Sequence, residues 1–213
     1  KMKNIVTICL AISTFIVAQD TTASVSQEPQ LPGWGIYVGG AFGGAAFTED
    51  APDGHKLNSR SIGPNIGISK GLFLGRLPLI VGAGYHPRGA NYEFEVSIPQ
   101  TEMTQEVKVE YTYEMLDVWA TIPYPVSDRA IVQAGFLLGT CIGGKADDGD
   151  SEVDLKDSEG ELDYGIMLGG GFAITEQIGV NFGYYIGLSE FPTGNTPYDL
   201  KFNGLVFNVG YTF

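Results

Sequence analysis

Residues 204–213 read GLVFNVGYTF, and the alternation within them decides the fold. Leu205, Phe207, Val209, Tyr211 and Phe213 put an apolar side chain at every second position, with Asn208, Gly210 and Thr212 between them. A strand sends successive side chains to opposite faces, so this segment has one greasy face and one of glycine and small polar groups.

The same pattern recurs upstream. Val132, Ala134, Phe136 and Leu138 form one apolar face. Leu162, Tyr164, Ile166, Leu168 and Phe172 form another, and Ile178, Val180, Phe182, Tyr184, Ile186 and Leu188 a third. Opposite them stand Gln133, Gly135 and Gly139; Gly165, Gly169 and Gly171; Gly179, Asn181, Gly183 and Gly187. Two architectures produce such strands. A soluble ligand-binding barrel turns its apolar face inward and carries charge outside, whereas a membrane barrel does the reverse. Here the second face is glycine and amide, nearly free of Lys and Glu, and cannot be a solvated exterior. The apolar face therefore meets lipid. The glycine face lines a narrow interior in which Met115 and Trp119 find room.

Strands are expected at about 34–47, 61–74, 79–98, 106–122, 130–144, 161–174, 178–190 and 201–213. The connections alternate between loops (48–60, 99–105, 145–160, 191–200) and tight turns (75–78, 123–129, 175–177). Long loops on one side and short turns on the other are the habit of bacterial outer-membrane barrels. The expected fold is all-β: an eight-stranded antiparallel up-and-down transmembrane β-barrel. Both termini then lie on the turn side, in the periplasm of a bacterial outer membrane. Aromatic Trp34, Tyr124, Tyr184 and Tyr211 fit the girdles at the membrane interfaces.

The third and fourth strands invert. Leu79, Val81, Ala83 and Tyr85 share a face that continues as Asn91, Glu93 and Glu95; Ile122, Ala120, Val118 and Leu116 share one that becomes Glu114, Thr112, Glu110, Lys108 and Glu106. A strand that leaves lipid for water does this without a register slip. The bilayer edge is expected near Pro87 and Glu114. Beyond it Tyr92, Phe94, Val96 and Ile98 face Val107, Val109, Tyr111 and Tyr113, so the 91–114 hairpin should project and carry a small core of its own. His86, Arg88 and Asp117 should point inward, with Arg88 and Asp117 as an ion pair.

Composition agrees with one domain. The chain has 213 residues, of which 30 are glycine, and a net charge of −13 that disfavours nucleic acid as a partner. Lys1 and Lys3 followed by the apolar run Ile5–Val17 and Ala18 read as a secretory signal over residues 1–18, too short to span a bilayer; a flexible periplasmic lead-in over 19–33 precedes the barrel at 34–213. Cys141 is then the lone thiol of the remaining chain, so neither a disulfide nor a cysteine zinc site is available.

No catalytic, cofactor or metal residue emerges. Asp148, Asp150, Glu152, Asp154 and Glu159 of loop 145–160 fall on a calcium-loop template, but Val153 stands where glycine is needed and Lys156 adds a repelling charge. A solvated loop is the expectation, with loose divalent-cation binding as the lesser alternative. His55 has Ser59 four positions on and His86 is followed by Pro87 and Arg88, and neither spacing argues for a base and nucleophile.

The segments YEMLDVWATIPYPV, AIVQAGFLLGTCIGG, ELDYGIMLGGGFAI and GVNFGYYIGLSEF, with the terminal strand, give a chain that resembles the small bacterial outer-membrane β-barrel family, the outer-membrane-protein β-barrel domain group related to OmpX- and OmpA-type barrels. The resemblance implies outer-membrane lipids as surroundings. It also implies an assembly machinery that reads a last strand ending in an aromatic residue, here Phe213. Some eight-stranded relatives act on lipid A, but the residues give no such site. The expected role is structural or surface interaction, with an extracellular or envelope protein partner at the 91–114 hairpin; a narrow small-solute or ion pore is the alternative, and a lipid-modifying enzyme the further one.

Overall fold

The computed structural model describes residues 33–48, 54–97, 104–192 and 199–213. The leader expected at 1–18 and nearly all of the 19–33 lead-in lie outside the described residues. The strands are β1 (Trp34–Phe47), β2 (Lys56–Asn58), β3 (Arg60–Leu74), β4 (Leu77–Tyr85), β5 (Arg88–Ser97), β6 (Thr104–Pro125), β7 (Ala130–Asp147), β8 (Glu152–Asp154), β9 (Leu162–Ala173), β10 (Ile178–Gly187) and β11 (Leu200–Thr212).

Eight of them close on themselves. The order β6, β4, β3, β1, β11, β10, β9, β7 is completed by a β6–β7 pairing, so the ring has no free edge. Closure satisfies every backbone group between strands, the condition for crossing hydrocarbon with β-structure. All neighbours in the ring are antiparallel.

The alternation places the greasy face outside. Leu205, Phe207 and Val209 are 53%, 56% and 44% exposed, and Phe136 and Phe182 reach 71% and 58%. Water would not tolerate a continuous belt of this kind, whereas lipid requires it. Inward positions are glycine, amides and a few large groups that interlock. A Cβ on Gly82 would overlap the Trp119 indole, which is why the bulkiest side chain of β6 fits a narrow lumen.

The strand expected at 79–98 is interrupted at His86 and Pro87. Proline lacks the N–H that would extend the ladder. Register nevertheless survives: Tyr85 pairs with Leu116 before the break, the His86 amide donates to the Met115 carbonyl at 3.1 Å, and Arg88 pairs with Tyr113 after it. The bulge lies on the other side of β6, where Glu114 pairs with Gly143 and Met115 with Cys141.

Two further boundaries differ from expectation. β6 runs to Pro125, so the second turn is shorter than 123–129, and the Ser127 hydroxyl closes it by accepting from the Ala130 amide at 3.1 Å. Loop 145–160 is only partly a solvated loop. β8 folds back on β7, a 3-10 turn spans Lys156–Ser158, and Leu155 and Ser158 are buried. Beyond the ring, β2 pairs with β5 and lengthens the projecting sheet.

Candidate functional site

Two layers fill the interior. In the lower one, Arg88 is buried and its Nη2 donates to both carboxylate oxygens of Asp117 at 3.1 Å. Its Nε lies 2.5 Å from Asp163 Oδ2, an ion pair without the alignment of a hydrogen bond. The Tyr185 ring lies against the guanidinium, 4.8 Å from centroid to Cζ. Ser189 donates to Asp163 Oδ1.

The network continues across the lumen through His86. Its Nδ1 is 3.0 Å from Asp117 Oδ2 and its Nε2 is 3.1 Å from the Tyr37 hydroxyl, which accepts from the Trp119 indole N–H at 3.3 Å. With Nδ1 donating to Asp117 Oδ2, a singly protonated ring leaves Nε2 to accept from the Tyr37 hydroxyl. Residues of β1, β5, β6, β9 and β10 and of the segment after β10 are thereby tied together. A Cβ on Gly139 would overlap the Asp117 carboxylate, so β7 contributes the space the pair occupies.

The expected Arg88–Asp117 pair is present, while Asp163, Ser189, Tyr37 and Tyr185 were not singled out from the sequence. Their signal was parity: each falls on the inward face of a strand or its extension, where a charge or hydroxyl needs a partner.

The upper layer is apolar. Tyr113, Phe191 and Phe202 are sealed from solvent, with ring centroids 5.0–5.5 Å apart. Met115, Leu137, Cys141, Leu155 and Leu200 pack with them. The hairpin was expected to hold a core of its own. Instead Tyr92, Tyr111 and Tyr113 join this larger cluster, completed by Phe191 and Leu155 from the loops, because a two-stranded hairpin has too little inner surface to seal aromatic rings alone. Val96 stays 43% exposed and Ile98 lies outside the described residues. Burial raises the phenol pKa of Tyr111 and of Tyr113 above the ordinary value, keeping both hydroxyls neutral.

The outer face of the projecting sheet is charged. Lys56, Glu93 and Lys108 stand side by side across three strands, and Glu110 takes Arg60 at 3.3 Å and Lys108 at 3.7 Å. Lys145 meets Glu152 at 2.8 Å, which raises its pKa, yet the pair is exposed and contributes little stability. Glu95 directly opposes Glu106, and Glu110 opposes Asp147, which opposes Glu152, leaving the surface predominantly acidic.

The histidines and the acidic loop hold structural places. His55 Nδ1 bonds the Tyr92 hydroxyl and its ring stacks on Phe94 at 5.8 Å, turned to the aromatic cluster and not to Ser59. Asp148 Oδ1 accepts from the amides of Asp150 and Ser151 at 3.0 and 2.8 Å, and these bonds lower its pKa. Among the described residues no group of three metal-binding side chains converges. Trp34, Tyr124, Tyr184 and Tyr211 are exposed on the outer face.

The family model of the outer membrane protein beta-barrel domain matches residues 7–213. Among solved structures, Neisserial surface protein A is 16% identical with a TM-score of 0.55, over 86% of this chain and 99% of that one, a likeness of fold. Ail, the attachment invasion locus protein of Yersinia pestis, is 12% identical with a TM-score of 0.43, over 85% of this chain and 99% of its own. The outer membrane protein OprG from Pseudomonas aeruginosa is 9% identical with a TM-score of 0.44, over 88% and 99%. No curated protein sequence matches.

Proposed function

The chain belongs to the outer membrane protein beta-barrel domain family, and from that premise we propose that it is a structural and surface-interaction protein of the bacterial outer membrane, its contact surface being the sheet of β2, β5 and β6. The termini lie in the periplasm, and β11 with its outward row from Leu205 to Phe213 is the strand that the assembly machinery engages. The observation that carries this reading is the filled interior. The Arg88 network crosses the lumen and the Tyr113, Phe191 and Phe202 cluster lies above it, so the barrel offers partners an outer surface and no passage. In this reading His55, held by Tyr92 and Phe94, and His86, held by Asp117 and Tyr37, serve the packing of the interior.

A second reading, a narrow pore, draws on Asn65. It is fully buried on the inward face of β3, and neither amide atom has a protein partner, so water must reach it. Single-channel recording of the refolded chain in planar bilayers separates the two. Silence from a folded barrel is expected; reproducible ion steps would put the pore in place of the surface role.

A further inference from the structure

Lys70 is the one charged side chain on the apolar outer face of the ring between the turns and the outer rim, among the described residues. It points outward from β3 in the same row as Ile66 and Ile68, with exposed Leu74 toward the turn. Trp34 of β1 stands directly opposite on one side and Val81 of β4 on the other. Among the described residues no carboxylate pairs with it; its Nζ lies 4.7 Å from the centroid of the Trp34 ring. Trp34 is itself anchored, accepting from the Phe213 amide at 2.8 Å, and Phe213 packs edge-on against Tyr211 at 5.3 Å.

An ammonium group amid apolar side chains on a lipid-facing surface must find oxygen, because its charge cannot stay dry. The indole face meets part of that need, but three N–H donors remain to be satisfied. The flexible stem lets the head reach the interface. A phosphodiester there supplies anionic oxygens, and its acyl chains lie along Ile66 and Ile68. The surroundings favour a net negative headgroup. Among the described residues no carboxylate forms an ion pair with Lys70, and the Trp34 face that would take a choline or an amine is covered by Lys70. The turns at this end carry Arg76 and Arg129 together with Asp128 and Glu176, so Lys70 is left as the local excess of positive charge.

We infer that Lys70 and Trp34 form a binding site for the headgroup of an anionic phospholipid. The inference rests on the ring lying in a bilayer, and not on which end faces the periplasm. The full chain carrying Trp119→Phe, so that Trp34 is the reporter, is refolded into phosphatidylcholine vesicles containing chain-brominated phosphatidylglycerol or, at equal mole fraction, chain-brominated phosphatidylcholine. Brominated phosphatidylglycerol should quench Trp34 more strongly, corresponding to roughly fivefold enrichment, the effect of one basic side chain at an anionic surface. Lys70→Gln should abolish that excess and Lys70→Arg retain it. Equal quenching by the two lipids, or an excess that survives Lys70→Gln, overturns the site. Quenching by neither removes the bilayer premise and the site with it. If Trp119→Phe does not fold, the two-tryptophan parent reads the same difference over the constant signal of the lumenal Trp119.

Discussion

Along β6, Leu116 and Val118 are apolar and exposed while Asp117 between them is buried and charged; a few residues further on, Tyr111 and Tyr113 are buried while Glu106 and Lys108 are exposed. One strand in one register thus obeys opposite rules in its two halves. The difference is the surrounding solvent. In lipid the outside must be greasy, which leaves polar groups only the lumen, where they need partners. In water the hydrophobic effect returns, so aromatic groups turn inward and charge turns out.

The largest effect should come from breaking the polar layer. Arg88→Met leaves Asp117 and Asp163 facing one another without their cation and should cost about 3–5 kcal/mol, measured by urea unfolding in lipid vesicles. Arg88→Met combined with Asp117→Asn and Asp163→Asn should restore most of it, because no uncompensated charge remains. If the triple variant is as unstable as the single one, the layer contributes more than paired charge.

The apolar layer should respond to volume instead. Phe202→Ala removes a buried ring packed against Tyr113 and Phe191 and should cost about 3 kcal/mol. The loss should appear as protease cleavage in the loops around Leu155 and Phe191 before the ring unfolds. Smaller still is a paired test of the two solvents on one face of β6. Val118→Lys should cost about 2 kcal/mol in a bilayer, and Glu106→Lys should stay within about 0.5 kcal/mol. Equal costs would move the bilayer edge away from Glu114.

The smallest effect is local. The amides of Ser151 and Asp150 hold the Asp148 carboxyl below its ordinary 3.8, so the turn at 148–151 is supported at neutral pH, and that support disappears as pH falls through the depressed value. Amide exchange at Asp150 and Ser151 should quicken there relative to the rest of the sheet.

Much of this was legible in the residues. Alternation at Leu205, Phe207 and Val209 gave the two faces, and the glycine and amide character of the second told which one meets lipid, because a face nearly free of Lys and Glu is no solvated exterior. The inversion at Glu114 matches the exchange of apolar and charged residues on the exposed face of β6, and parity placed Arg88 and Asp117 both inward. Asp163 was not legible as their partner. It is distant in sequence, and only the pairing of Gly139 on β7 with Asp163 on β9 brings it across the ring. Loop 145–160 misled because its acidic composition hides Leu155, an apolar residue whose burial depends on a cavity built elsewhere.

The sequence alone determined the eight strands of the ring apart from the break at His86 and Pro87, their faces and the projecting hairpin, since these follow from local periodicity and the demand that backbone groups be paired. Only the tertiary structure decided that the lumen is crossed by one cation held between two carboxylates, that loop residues complete the aromatic cluster, and that Lys70 lies over the Trp34 ring. Those features depend on which strands become neighbours when the ring closes, and closure joins residues whose separation along the chain carries no signal.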